Sequence, residues 1–515
     1  MKLIKKLFMA LILLISFTFI AIWILTKTLK PTTVSYLVSK QLSTLTSQKI
    51  HIEGDVSWQL FPQPGIKISH IYIGNKENIT SNSGFIDSLR LNLNAKTLLQ
   101  GQLVFNELSI DGVTMNLYSN TPAPQKTLDE TPNKHPRSNP LKLAIDDLLL
   151  TNGKITFHQG LNLITLNGLQ MGAHQLNLKN EYFPLQIKAK LNASIADYKI
   201  KTSLKYNGQA KIATSSNNKT VALDGQLLLQ NTLLNALNIA KITTNVTTQN
   251  NDVFFNPLHL SLYQGESIGD LRYNVLSKKL EINQTATNLD AYQLLKDLLG
   301  KDLLTGKLDA SVHTITLLQN PNGISGTDGT GNISIKDGVL YFVDINQRID
   351  EATQKIHALL AQTNLNVIQL LQPLFFTPST SEKENTPFKL FSLQYHVTHG
   401  QFINDALLLD TDKLQLKGNG QTELNNGALQ GRFLATLITN DKALNNIQQL
   451  LGGSFPLKLR GTLQHPQLVP DTEVINPIVS KYLLQNTLEQ PVTQMKQGIK
   501  TLLTVPAYLL PEETE

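Results

Sequence analysis

The chain has no cysteine among its 515 residues. That excludes disulfides, thiolate metal sites and cysteine nucleophiles, so a large folded region must be held by its core and its strand ladders. Charged side chains are scarce at 16%, and aromatics scarcer at 6% with only two tryptophans. Asn, Gln, Ser and Thr fill the polar positions instead. The net charge of +6 is scattered, with no basic run beyond the amino-terminal lysines, which argues against nucleic acid as a partner.

Recognisable chemistry is missing as well. There is no Walker A sequence, no HExxH, no GxSxG and no dinucleotide GxGxxG. His396-Val-Thr-His399 is the nearest thing to a metal pair, but it falls in a strand-like run, where residues three apart point to opposite faces. Asp146 and Asp147 diverge for the same reason, and a solvated edge or turn suits them. Asp410 and Asp412 share a face without a third ligand nearby. Trp58 suits a plug at the end of a sheet better than a ligand platform. The expectation is a protein that is not an enzyme and holds neither cofactor nor metal.

Long hydrophobic runs are also rare, and one exception organises the chain. Leu7 to Thr26 is uncharged and, at about 20 residues, long enough to cross a bilayer as a helix. Lys2, Lys5 and Lys6 precede it, so the positive-inside rule keeps the amino terminus cytoplasmic and exports the rest. The run continues through Trp23 and Leu25 with no small-x-small cleavage site behind it, which favours an uncleaved signal anchor. Val34 to Ser47 keeps helical spacing.

Beyond this the pattern has period two. Ile66, Ile68, Ile71 and Ile73, then Leu89, Leu91 and Leu93, stand among polar residues, as strands with one apolar and one wet face require. The alternation recurs at Leu161 and Leu163, Leu176 and Leu178, Ile187 to Leu191, Leu204 to Tyr206, Leu227 to Leu229 and Leu258 to Leu262. It continues at Ile333 to Ile335, Leu414 to Leu416 and Leu457 to Leu459.

Asp111-Gly112, Asn152-Gly153, Asn207-Gly208, Asp224-Gly225, Asp337-Gly338 and Asn426-Gly427 predict tight hairpin turns. Leu150 to Ile155, Ile335 to Leu340 and Val397 to Phe402 share one apolar-x-polar-Gly-x-apolar frame. Ser119 to Pro140 is rich in proline and polar residues and reads as a linker, with a shorter one at Thr377 to Pro387. Helices are expected over Asp290 to Leu299, ending at Gly300, over Asn346 to Leu371, and over Asp441 to Leu451. A last one runs from Pro477 to Leu503, with Pro477 in its first turn and a kink at Pro491.

These residues resemble the AsmA family of inner-membrane-anchored envelope proteins. The amino-terminal likeness runs over Gly54 to Gly65 (GDVSWQLFPQPG), the IKISHIYIG strand, Leu98-Leu99-Gln100-Gly101 and Leu108 to Gly112. The carboxy-terminal likeness covers Gly329 to Leu340 (GTGNISIKDGVL), Asp344-Ile345, Phe388 to Phe402, Leu407 to Leu416, Gly418 to Gly420 and Phe455 to Pro466 (FPLKLRGTLQHP). The middle, about 141–300, matches in strand pattern alone.

The resemblance implies a mostly β fold. In it an N-terminal transmembrane helix is followed by an elongated, curled antiparallel β-sheet groove of the repeating or chorein-like kind, with a few short helices. It implies a bacterial inner-membrane location with the bulk of the chain periplasmic, and a role in outer-membrane biogenesis and lipid homeostasis. The expected organisation is a cytoplasmic stub and anchor at 1–30, an N-terminal AsmA-type β region at 31–118 and a linker at 119–140. A middle β region at 141–300, a C-terminal AsmA-like β region at 301–470 and a helical tail at 471–515 follow.

The residues themselves are compatible with a groove. Few helices are available to cover the apolar faces, and a long uncovered face is a site for acyl chains, each buried CH₂ adding about 0.8 kcal/mol. Ordinary sandwich or barrel interiors alternate in the same way. Distributed groove positions for phospholipid are Leu91, Leu163, Ile187, Leu204, Leu229, Leu260, Ile335, Leu414 and Leu459. Expected partners are the inner membrane, phospholipid, and outer-membrane or periplasmic envelope proteins. The alternative is a scaffold that assists outer-membrane protein insertion through exposed sheet edges, without lipid transport.

Overall fold

The computed structural model describes residues 36, 39, 43, 48–59, 65–74, 82–93, 104–119, 142–176, 180–195, 198–214, 219–318, 326–341, 344–360, 385–423, 427–462 and 466–487. The anchor at Leu7 to Thr26 lies outside them, as do nearly all of the 119–140 linker and of the Val34 to Ser47 helix. Among the described residues no helix is long and apolar enough to cross a membrane. The chain forms two compact units, residues 1–248 and 249–515.

The first unit contains β1 (Ile50–Ile52), β2 (Val56–Gln59), β3 (Gly65–Gly74), β4 (Ser83–Leu93), β5 (Val104–Tyr118) and β6 (Lys142–Gln159). It continues with β7 (Asn162–Ala173), β8 (Tyr182–Ile195), β9 (Tyr198–Thr214), β10 (Lys219–Leu234) and β11 (Leu237–Gln249). β1 and β2 share one edge of β3, and from β3 each strand pairs with the next. One pairing departs from the antiparallel expectation. β5 and β6 run parallel, Val104 opposite Lys142 and Tyr118 opposite His158. A parallel pair needs a crossover of a dozen or more residues, and the proline-rich stretch between these strands has that length.

Five of the six predicted X-Gly turns are not turns. Asp111-Gly112, Asn152-Gly153, Asn207-Gly208 and Asp224-Gly225 lie inside β5, β6, β9 and β10. The first two belong to a crease. His70, Gly112, Asn152 and Gly168 all have φ between 50° and 69° and stand at one level across β3, β5, β6 and β7. At that level each strand's alternation changes phase: Ile66 and Ile68 give way to Ile71 and Ile73, and Leu108 and Ile110 to Val113 and Met115. A one-residue slip normally turns a strand's apolar set to the other face, and a bulge with one left-handed residue restores it. The apolar side chains therefore stay together, and Ile68 and Ile71 are fully buried. Asp111 clasps the crease by accepting from Thr151 Oγ1 at 2.6 Å and Asn152 Nδ2 at 2.8 Å. These two bonds hold its carboxyl below the usual range.

The turns lie elsewhere. Gly160-Leu161 joins β6 to β7, so Leu161 is a turn residue and not part of a strand; Leu176 likewise follows β7. Leu178 is outside the described residues. Asn235-Ala236 joins β10 to β11.

The second unit is an antiparallel meander. Its strands are β12 (Asp252–Leu262), β13 (Gly265–Asn274), β14 (Lys279–Asp290), β15 (Lys307–Leu317), β16 (Thr327–Tyr341) and β17 (Asn385–Thr398). β18 (Gln401–Thr411), β19 (Leu414–Glu423), β20 (Leu429–Leu437), β21 (Phe455–Gly461) and β22 (Pro466–Pro470) complete it. Each pairs with its successor. His399-Gly400, inside the predicted Val397 to Phe402 frame, is a hairpin turn with φ of 49° and 80°. Asp337-Gly338 lies within β16. Gly427, between β19 and β20, has φ 69°. Residues 385–387 of the shorter expected linker belong to β17.

Four helices are described here: α1 (Ala291–Leu299), α2 (Ile345–Leu360), α3 (Lys442–Leu450) and α4 (Thr472–Thr487). α1 starts behind its N-cap Asp290, whose carboxylate accepts from Gln293 N, and stops at left-handed Gly300. α3 is capped the same way by Asp441. α2 is described to Leu360, and residues 361–371 of the expected helix lie outside. α4 begins five residues before Pro477, which sits inside it and removes one backbone donor. Asp471, not the proline, opens this helix: its carbonyl accepts from the amides of Val474 and Ile475.

These helices cover the sheet. Ala291, Ile345, Ile349, Leu444, Ile475 and Val479 join Leu308, Ile335, Leu409, Leu414 and Leu457 in one buried cluster. The expectation that too few helices exist to close the apolar face fails for this part of the chain. Four short ones suffice, because each lays its own apolar stripe on the same end of the strands.

Candidate apolar binding face

In the first unit the buried clusters contain no helical residue. The clearest stretch is β8 to β11. Along β8 the buried or half-buried residues are Phe183, Leu185, Ile187, Ala189, Leu191 and Ala193, and every residue between them is more exposed. β9 matches it across the ladder, with Ile187 opposite Tyr206 and Ala189 opposite Leu204. Leu204 in turn faces Leu229, and Leu229 faces Ile242. The face therefore continues from strand to strand.

Its floor is set by a close approach of two strands. Gly208 stands opposite Gly225, and a Cβ on either would lie 2.4 Å from the other's Cα. The Tyr206 ring lies over this pair and donates its hydroxyl to the Gln209 carbonyl at 2.8 Å. Burial pushes the Tyr206 phenol above its usual pKa, against the opposing backbone bonds to Asp224 and Gln209. The other polar atoms on the face are satisfied internally. Thr202 and Thr232 share a buried hydroxyl contact of 2.8 Å, and Thr244 donates to the Asn245 carbonyl at 3.2 Å. What remains presented is hydrocarbon, with no nucleophile–base arrangement and no paired carboxylates on it among the described residues. Such a surface can hold apolar chains.

The nine sequence-predicted positions divide into groups. Ile187, Leu204 and Leu229 come together on the half-buried face just described. Leu91 is buried in the amino-terminal cluster at the crease. Leu163 points to the opposite side. It pairs with His158 and Ser194, whereas its neighbour Ile164 pairs with Phe157 and buried Ala193. Leu260 is half-buried in β12. Ile335 and Leu414 are both 2% exposed in the helix-covered cluster, and Leu459 packs against it.

Sequence reasoning named Tyr206 only as the end of an alternating run, and passed over Thr202, Thr232 and the alanines 189, 193 and 210 as lining residues. Their signal was there, in the even spacing of small residues between lysines (KAKLNAS), but small side chains do not register in a search for Leu and Ile. Trp58 packs against the amino-terminal cluster.

The titratable candidates go elsewhere. His396 pairs with Asp405 at 2.9 Å, and His399 is in the turn beyond, bonded to Thr398 Oγ1. Asp147, in a strand and not a turn, contacts His174 at 3.1 Å. Asp412 pairs with Lys389 at 3.1 Å.

The model of the AsmA family matches residues 1–231. Over that span, a little under half of the chain, the sequence is similar to the AsmA family. The AsmA match takes in the GDVSWQLFPQPG stretch, the crease and β6 to β9, and it ends inside β10. The carboxy-terminal likeness at 329–466 lies beyond it. No curated protein and no solved structure matches the chain.

Proposed function

We propose that this chain is an AsmA-family, inner-membrane-anchored envelope protein. In this reading it holds phospholipid by the acyl chains along the apolar face of β6 to β11, and so supports lipid homeostasis of the outer membrane. The observation that carries the reading is that face itself. It is continuous across neighbouring strands, its polar side chains are satisfied by one another or by backbone carbonyls, and its buried cluster contains no helical residue. At about 4.8 Å per strand, six strands span about 24 Å. That exceeds the roughly 15 Å depth of one leaflet's hydrocarbon, so an acyl chain fits along it.

A photo-activatable amino acid tests this in the full chain in cells. Placed at Leu204 or Leu229, it should crosslink to phospholipid; placed at the adjacent Ser203 or Leu228, on the other face, it should not. Equal labelling from both faces, or none from either, would refute the reading.

A further inference from the structure

The lysines that look scattered in sequence are gathered by the fold. Lys188 and Lys190 of β8, Lys199, Lys201 and Lys205 of β9, and Lys241 of β11 all lie exposed on the outer face, opposite in direction to Ile187 and Leu204. None of the six forms an ion pair among the described residues. Lys188 stands directly across from Lys205, an arrangement that destabilises a free sheet. Among the strand residues of β8 to β11 the only carboxylate is Asp224, while Asp197, in the connection between β8 and β9, lies outside the described residues. A seventh lysine, Lys211, lies 5.0 Å over the Tyr182 ring. Apart from Leu228, opposite Lys205, the residues between the lysines are Asn, Gln, Ser and Thr, and no aromatic ring stands among the six to stack on a nucleobase.

At the turn end of the same strands, apolar side chains project into solvent. Leu161, at the tip of the β6–β7 turn, is fully exposed, and Tyr198 is 53% exposed at the start of β9. Ile195, Leu163 and Leu233 stand exposed beside them at the ends of β8, β7 and β10. Lys199 and Lys201 follow Tyr198 directly.

Apolar tips flanked by cations match one kind of surface, a bilayer with anionic headgroups, where hydrocarbon enters the interface and ammonium groups meet phosphate. We infer that the turn end of β6 to β9 docks on an anionic lipid surface, with Leu161, Ile195 and Tyr198 entering the interface and Lys199 and Lys201 binding lipid phosphates. This stands on the outer face and the strand ends, independently of the acyl-chain face, and either can fail alone.

The test uses the full chain reconstituted in phosphatidylcholine vesicles. Because the chain has no cysteine, Leu161→Cys takes a single environment-sensitive fluorophore. Protein-free vesicles of equal parts phosphatidylglycerol and phosphatidylcholine should then shift its emission to the blue, while phosphatidylcholine vesicles should not. Molar salt should reverse the shift, since it shortens the screening length to about 3 Å. Lys199→Gln with Lys201→Gln should weaken the apparent vesicle affinity about 30-fold, at about fivefold per lysine. The same fluorophore at Gln430→Cys, in the second unit, should not respond. An equal response at Gln430, a response to both vesicle types, or indifference to the double lysine change would overturn the proposal. No response at all would overturn it too, and would point the lysine face toward an acidic protein. Crosslinking of phospholipid from Leu204 should be unchanged in the lysine variant, which separates failure here from failure of the apolar face.

Discussion

Leu204 and Leu229 face one another across the β9–β10 ladder and are only half-buried. Replacing both with aspartate separates an open binding face from a closed core. If acyl chains lie there, each carboxylate costs about 2.5–3.5 kcal/mol against hydrocarbon. Two cost about 5–7 kcal/mol, equivalent to the burial of roughly six to nine methylenes. Phospholipid occupancy at fixed lipid should fall by about four orders of magnitude. The free protein should tolerate the change, because half-exposed positions let the carboxylates reach water. The assay is lipid phosphorus per chain after purification, with hydrogen exchange of β9 and β10 read on the same sample. Full lipid content with exchange protection intact would refute the reasoning. Loss of protection without lipid present would show that the face is an interior.

Other perturbations have equally definite outcomes. Leu414→Ala, at 2% exposure beneath the helices, should destabilise the second unit by about 2–5 kcal/mol, visible as a lower unfolding temperature while exchange in β3 to β11 is unchanged. Gly208→Ala would place a Cβ 2.4 Å from the Gly225 Cα, and should cost about 1–3 kcal/mol and expose β9 and β10 to exchange. Gly172→Ala, with nothing within 4 Å of its Cβ, should be nearly neutral. Asp111→Ala removes both clasps on the parallel β5–β6 pair and should raise limited proteolysis between these strands. The Asp441 carboxyl is held low by the Leu444 amide and by His357 at 2.6 Å. A depressed folded pKa stabilises above the ordinary carboxylate pKa and is lost as pH falls through the lowered value. Docking of α3 should therefore weaken below about pH 4, and Asp441→Asn, which keeps a cap, should flatten that response.

Much of the strand content was legible because alternation is a direct consequence of burying one face. Ile66 to Ile73 and Leu89 to Leu93 fall in β3 and β4, and Asp290 and Gly300 bound α1 as capping chemistry requires. Three of the X-Gly dipeptides, at Gly112, Asn152 and Asp337, misled because a residue at positive φ suits a bulge as well as a hairpin turn, and a long strand that must keep one face apolar uses bulges. Asn152-Gly153 shows this, as the phase of Leu148 and Leu150 differs from that of Ile155. Asn207-Gly208 and Asp224-Gly225 have no positive φ, and their glycines instead admit the close approach of two strands. The length of the linker between β5 and β6 permitted the parallel pairing without distinguishing it from an antiparallel one. The coverage by helices could not be inferred, since α3 offers only a short apolar stripe, and its burial comes from the strands beneath.

The two faces of β8 and β9 answer different questions about one segment. Alternation makes them inseparable in sequence: moving Lys188, Lys190 and Lys205 by one residue would bury them and expose Ile187, Ala189 and Leu204. A sheet needs only its apolar face to fold, and that face is met by Leu, Ala and Tyr whatever stands opposite. Nothing in folding asks for lysine on the other side. Serine or glutamine, both common in this chain, would keep those positions solvated without setting Lys188 against Lys205. The lysine face is thus a cost to the isolated sheet, offset when anions lie against it. Replacing Lys188 with glutamine should accordingly stabilise the free protein by a few tenths of a kcal/mol while weakening its binding to anionic vesicles. A substitution that improved neither, or weakened both, would remove the distinction drawn between the two faces.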